Sequence, residues 1–195
     1  MEKRMNGTLV SEILYDELRA FLELKGDKPL QLVDISVGND FGGDMYANIK
    51  KKKLEKMVGY LVESRHFDSI SYDDLVSEIE SINNDNKING VMLQLPLSKE
   101  LNDHERKILD HIDWRKDVDG LTTSSIGRLV VGEVSLEPCT PKGIITLLKV
   151  YGVDLVGKNV VIVNRSNIVG KPMAMMLLEK NSTVPVEYLW QMNLP

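Results

Sequence analysis

Asn164-Arg165-Ser166-Asn167-Ile168-Val169-Gly170-Lys171-Pro172 follows directly on the apolar run Val160-Val161-Ile162-Val163. An apolar strand that runs into a turn of small polar residues and then into a helix is the geometry of a phosphate-binding turn in a nucleotide-binding α/β fold. Asn164 stands where a dinucleotide fingerprint wants its first glycine, and Asn tolerates unusual backbone angles better than most residues. Arg165 and Ser166 are suited to hold an added phosphate by charge and hydrogen bond. The plainer alternative is an ordinary strand–helix connection with an exposed arginine. Only Met173 to Pro195 follow the turn, fewer residues than a complete nucleotide-binding half-sheet needs.

Working outward, strands and helices alternate. Asn6 is placed to cap a first helix running to about Leu24, with Gly26 after it. Leu30 to Ile35 reads as a strand and Val37-Gly38-Asn39-Asp40 as the turn beyond it. Helices are expected from Asp44 to Leu61, from Ser71 to Asn83 behind a near capping box at Ser71 and Asp74, and from Asn102 to Ile112. Gly90 to Leu95 reads as a buried strand that stops at Pro96. Thr140 to Tyr151 is helical, with Pro141 in its first turn and Gly152 past its end. Val160 to Val163 is a strand, and Ile168 to Glu179 a helix. This order predicts an α/β fold with parallel strands. A fresh strand–turn–helix unit beyond Gly157 places a domain division near Gly143, giving domains 1–143 and 144–195.

The 195 residues are 43% apolar and 27% charged, with net charge −5. That balance argues against nucleic acid as a partner. The charge is uneven: residues 1–143 hold 19 basic and 26 acidic side chains, and residues 144–195 hold 5 and 3. A slightly positive C-terminal part suits a phosphorylated cofactor. The single cysteine, Cys139, excludes an intrachain disulfide. His66, His104 and His111 have no metal-ligand spacing with it. No apolar run approaches membrane-spanning length and the first residues carry no signal core, so no membrane partner is expected and the cytoplasm is the expected location.

The stretch from Asp44 to Leu61 carries the sharpest local argument. At about 100° per residue, Tyr46, Lys50, Leu54, Met57 and Leu61 share one side of a helix. Lys50 is therefore the member of the run Lys50-Lys51-Lys52-Lys53 that lies within the apolar stripe, one turn from Tyr46. A lysine that loses solvation becomes usable for proton transfer; alternatively it reaches water from the stripe's edge. Gln94 interrupts Val91-Met92-Leu93-Leu95 near a strand's C-terminal end, where open parallel sheets gather ligands. Its alternative is a Gln bonded to backbone. Asp117-Val118-Asp119-Gly120 is an acidic turn, readable as functional or as a solvated turn with an Asx-type bond.

Together these segments resemble the bifunctional methylenetetrahydrofolate dehydrogenase/methenyltetrahydrofolate cyclohydrolase family. The likeness rests on Val37-Gly38-Asn39-Asp40, Tyr46-Ala47-Asn48-Ile49-Lys50, Gly90 to Leu97, Lys116 to Gly120, Gly127-Arg128-Leu129, Pro138-Cys139-Thr140-Pro141 and Arg165 to Pro172, in order from about Met5 to Val184. The resemblance implies an N-terminal α/β catalytic domain followed by the first part of an incomplete Rossmann-like nucleotide-binding domain. It implies hydride transfer from methylenetetrahydrofolate to NADP, with NAD the lesser candidate, and then hydration of the methenyl cation to 10-formyltetrahydrofolate. By matching position, Lys50 would be the key catalytic lysine. Tyr46 would stack on the folate ring, Gln94 would help position Lys50, and Asp119 would hold the pterin. Asn164, Arg165, Ser166 and Gly170 would meet the cofactor. Tetrahydrofolate derivatives are the implied partners, and members pair as homodimers through the nucleotide-binding domain.

The sequence departs from the pattern in three places. Gly43 stands where a serine is common, and Asn164 replaces the turn's first glycine, which would crowd or reshape it. After Val184 the text from Pro185 to Pro195 is expected to leave the family pattern, with about a third of the usual chain absent, as a frame shift or truncated gene would produce. Two other readings follow: a non-catalytic folate-binding fragment of the same family, and some other nucleotide-dependent dehydrogenase.

Overall fold

The computed structural model describes residues 4–25, 29–38, 60–133, 136–178 and 186–188. The elements run α1 (Gly7–Lys25), β1 (Leu30–Val37), β2 (Tyr60–Phe67), α2 (Tyr72–Asn84), β3 (Ile88–Leu93), α3 (Lys99–Asn102), α4 (Glu105–Leu109), α5 (Thr123–Val131), α6 (Cys139–Val150), β4 (Val160–Ile162), α7 (Gly170–Leu177) and β5 (Val186–Tyr188). Every strand pairing is parallel, in the orders β2-β1-β3 and β4-β5. The expected α/β class with parallel strands is what is found. The chain divides into two compact units, Tyr15–Val118 and Met1–Leu14 with Asp119–Pro195.

In the unit Tyr15–Val118, β1 is central and carries the buried residues Val33, Ile35 and Val37. Spaced two apart, these three share one face of the strand, and the opposite face carries the buried Asp34. Helix α2 follows the 3.6-residue period, with Leu75, Ile79 and Ile82 on one face and all three fully buried. Each such side chain stabilises the fold by about 1.5–3 kcal/mol. Ser71 caps this helix by accepting a hydrogen bond from the Asp74 N–H at 3.1 Å. At its other end the Lys116 ammonium donates to the carbonyls of Ile82 and Asp85, each at 2.8 Å. A cation on terminal carbonyls satisfies groups the helix leaves open.

Four expectations are corrected here. Leu61 belongs to β2, so it is not part of the helix expected from Asp44; residues 44–59 of that helix, with Tyr46, Lys50 and Gly43, lie outside the described residues. Strand β2 itself was not foreseen, because Glu63, Ser64, Arg65 and His66 break any apolar run on a strand that pairs, among the described residues, with β1 alone. The helix expected over Asn102–Ile112 is instead two short helices, broken where the His104 N–H turns back to the Leu101 carbonyl. Helix α5 was not foreseen either; Thr122 caps it and Gly132 closes it, but Ser124, Ser125 and Gly127 give its interior weak helical preference.

In the other unit, α7 packs against α5 and α6. Leu129, Ile145, Ile162, Met173, Ala174, Met176 and Leu177 form one buried cluster, flanked by Leu155, Val160 and Met175. The sheet here has two strands rather than the one expected, since β5 pairs with β4 through Val160–Val186, Val161–Glu187 and Ile162–Tyr188. Asn6 caps α1 as expected, its side-chain oxygen accepting from the N–H of Thr8 at 3.0 Å.

Candidate functional site

Gln94 is the first residue beyond β3, at the C-terminal end of the first sheet. Its N–H donates to the Ile35 carbonyl at 2.8 Å, and its side-chain Nε2 donates to Asp34 Oδ1 at 2.6 Å. The side chain is half-buried and bonded to a carboxylate, not to backbone as the plainer reading of Gln94 had it. Asp34 lies in the central strand at 4% exposure. Sequence reasoning passed over Asp34, although an acidic residue between the apolar Val33 and Ile35 was the available signal. A carboxylate this deep loses hydration, and a short bond to an amide donor offsets part of that cost.

The Asp117 turn is not the solvated loop of the plainer reading. Asp117 is 2% exposed and forms a parallel bridge with Val91, whose N–H donates to the Lys116 carbonyl at 2.8 Å. In the second unit Asp119 is half-buried and begins a turn whose form depends on Gly120. Gly120 has φ +67°, and a side chain there would come within 3.0 Å of the Pro138 nitrogen. Both features demand glycine.

The turn after β4 is held by its own side chains. Asn164 Oδ1 accepts from the N–H of Ser166 at 2.8 Å and of Gly170 at 3.1 Å. Ser166 Oγ accepts from the Val169 N–H at 3.0 Å. Position 170 has no room for a side chain, since an added Cβ would lie 2.2 Å from the Asn164 carbonyl oxygen and 2.7 Å from its Oδ1. Asn164 is thus the knot of this turn, and Gly170 leaves room for it.

This arrangement changes how an anion could be held. The N–H groups of Val169 and Gly170 are engaged by Ser166 and Asn164, Lys171 N–H bonds the Ser166 carbonyl, and Pro172 has none. These donors at the start of α7 are therefore committed within the protein. What remains is an open groove of about 560 Å³ lined by Asn164, Arg165, Ser166, Asn167 and Lys171. Arg165 is exposed and makes no hydrogen bond or ion pair with any described residue. Ser166 keeps its O–H to donate, while Lys171 Nζ donates to Asn167 Oδ1 at 2.6 Å. A guanidinium beside a hydroxyl donor suits a phosphate. Among the described residues no group of acidic, histidine and cysteine side chains could hold a metal ion.

Residues 5–119 match the family description "Tetrahydrofolate dehydrogenase/cyclohydrolase, catalytic domain", and residues 138–191 match "Tetrahydrofolate dehydrogenase/cyclohydrolase, NAD(P)-binding domain". The second match passes Val184, where the sequence reading ended the likeness; strand β5 lies in that added stretch. The chain is 40% identical over 190 residues to the bifunctional protein FolD of Clostridium botulinum (strain Alaska E43 / Type E3), covering 95% of this chain and 66% of that protein. It is similar to the crystal structure of bifunctional 5,10-methylenetetrahydrofolate dehydrogenase/cyclohydrolase from Thermoplasma acidophilum, with TM-score 0.87 and 33% identity over 96% of this chain and 66% of that one. For the Trypanosoma brucei N5,N10-methylenetetrahydrofolate dehydrogenase-cyclohydrolase, complexed with NADP cofactor and inhibitor, the TM-score is 0.85 at 27% identity, over 95% and 64% of the two chains. The chain spans about two thirds of the length of these relatives.

Proposed function

Because the chain belongs to the tetrahydrofolate dehydrogenase/cyclohydrolase family, we propose that it acts on tetrahydrofolate one-carbon derivatives, oxidising the methylene form with NADP and hydrating the methenyl form to 10-formyltetrahydrofolate. The observation that carries the reading is the match of residues 5–119 to the family's catalytic domain, in a chain whose Gln94 is held at the C-terminal end of a parallel sheet.

Each residue has a physical task in this reading. Lys50 moves a proton at its Nζ as water adds to the methenyl carbon and the ring opens. Tyr46 offers its ring face to the planar pterin. Gln94 orients Lys50 through its side-chain oxygen. Asp119 accepts hydrogen bonds from the donor edge of the pterin. The groove beside Asn164 fits a nucleotide phosphate, with Arg165 and the Ser166 hydroxyl as its donors and Gly170 leaving the turn its shape. When bound, NADP supplies a hydride acceptor. The Arg165 guanidinium, which has no partner among the described residues, supports NADP over NAD, because an arginine suits the added ribose phosphate.

The reading retains a folate part and a nucleotide part divided near Gly143, a homodimer and a cytoplasmic location. No helix among the described residues is long and apolar enough to cross a membrane.

The test is the absorbance of methenyltetrahydrofolate, followed as it forms with NADP or NAD and as it is hydrolysed. An active parent and loss of both reactions in Lys50→Met support the proposal; an unchanged Lys50→Met overturns the lysine assignment. Folate binding without either reaction would favour the non-catalytic fragment instead.

A further inference from the structure

We propose that Asp34 is a positioning residue that fixes which way the Gln94 carboxamide faces. The role of that carboxamide as a partner of Lys50 rests on the function proposed above; its orientation by Asp34 does not. Gln94 is held by two consecutive residues of β1. Ile35 takes its backbone N–H at 2.8 Å, and Asp34 takes its side-chain nitrogen at 2.6 Å.

The two arms of a carboxamide are nearly equal in size, so packing alone does not choose between them. Hydrogen bonding does. Asp34 Oδ1 accepts from Gln94 Nε2, so the arm that meets it is the NH2. The oxygen then sits on the other arm of the same planar group, as an acceptor for an ammonium or N–H donor. Asp34 takes part in further interactions besides this bond, so it is itself anchored. At 4% exposure it competes with little water, which strengthens the bond. A buried carboxylate in a central strand is a poor choice for stability alone: a β-branched apolar residue of similar size would satisfy the strand better.

The experiment uses the full chain with 15N in its glutamine side chains, the Gln94 signal being the one lost in Gln94→Leu. Exchange of its side-chain amide protons is measured in the parent and in Asp34→Val. Methenyltetrahydrofolate hydrolysis and urea unfolding are measured on the same samples. Slow exchange in the parent and fast exchange in Asp34→Val are expected. With them we expect a cooperative urea transition that shows a folded variant, and a kcat reduced about threefold to tenfold, the scale of one misdirected hydrogen bond. KM should change little. The pair Asp34→Asn with Gln94→Glu reverses donor and acceptor while keeping an outward oxygen, so it should recover more activity than Gln94→Glu alone.

Equal exchange in the parent and Asp34→Val overturns the inference. So does unchanged kcat in Asp34→Val when Gln94→Leu has lost activity. Asp34-dependent exchange with unchanged turnover in Gln94→Leu, or with no turnover in the parent, instead supports the orientation and overturns the role proposed for Gln94.

Discussion

Gln94 and Asn164 each stand just past the end of a parallel strand, and they are held in opposite ways. Gln94 is fixed by β1, about sixty positions earlier in the chain, through the Ile35 carbonyl and the Asp34 carboxylate. Asn164 is fixed within its own turn, bonding the N–H groups of residues 166 and 170. The first is half-buried and its amide is committed to a buried carboxyl group. The second is exposed and stands beside Arg165, which has no partner among the described residues. A polar group built by tertiary structure is rigid and suited to orienting a reacting group. A turn built from local bonds forms a shelf and leaves its cation for a ligand.

The comparison breaks most readily at Gly170. Gly170→Ala places a methyl group into the Asn164 carbonyl, so the knot must open. We expect a loss of about 2–3 kcal/mol in urea unfolding, the scale of overpacking against backbone. NADP affinity should fall with it in calorimetry, whereas the same change at the open helical positions Gly127 or Gly143 should raise stability by about 0.5–1 kcal/mol and leave NADP affinity unaltered. If Gly170→Ala is neutral in both measurements, the turn is not tied as described.

Arg165→Gln sharpens the contrast without disturbing the knot. NADP affinity should weaken about tenfold to a hundredfold, as for one lost charge-assisted contact, with much less change for NAD. Equal weakening of the two nucleotides would contradict the phosphate assignment.

A smaller effect lies on the edge strand β2. Arg65 bonds Glu63 at 2.8 Å and also pairs with Glu78. The hydrogen bond from Arg65 holds the Glu63 carboxyl below its ordinary range. A carboxylate lowered in the folded state adds stability above its unfolded pKa, and that stability is lost as pH falls through the folded value. Urea unfolding followed from neutral to acid pH should therefore show this increment disappear at the acid end of the carboxylate range in the parent. Arg65→Met should lack it. Glu63 is 44% exposed, so the difference is about 0.5 kcal/mol. A parallel pair of curves would remove the ion pair from the account.

What was legible in the sequence follows the same division between local and distant. Strands β3 and β4 carry apolar runs and β1 an alternating pattern, and α2 and α6 carry their caps or a stop signal beside them. The turn at Asn164 could be read because its bonds span at most six residues. Strand β2 could not, since its pairing with β1 is set by neighbours and its own residues are largely polar. The bond between Asp34 and Gln94 could not either: Gln94 was singled out, but the partner that makes it rigid lies on another strand. The burial of Asp117 is not legible for the same reason, as it comes with the bridge to Val91. Tyr46 and Lys50 were chosen on helical spacing and on resemblance, and they lie outside the described residues.

The most direct measurement is therefore hydrolysis of methenyltetrahydrofolate with no nucleotide present, in the parent chain and in Lys50→Met. The account predicts that the parent hydrolyses it well above the rate in solution, and that Lys50→Met falls by at least about a hundredfold, the scale of positioned proton transfer. Equal rates in the two proteins, both above solution, would contradict it.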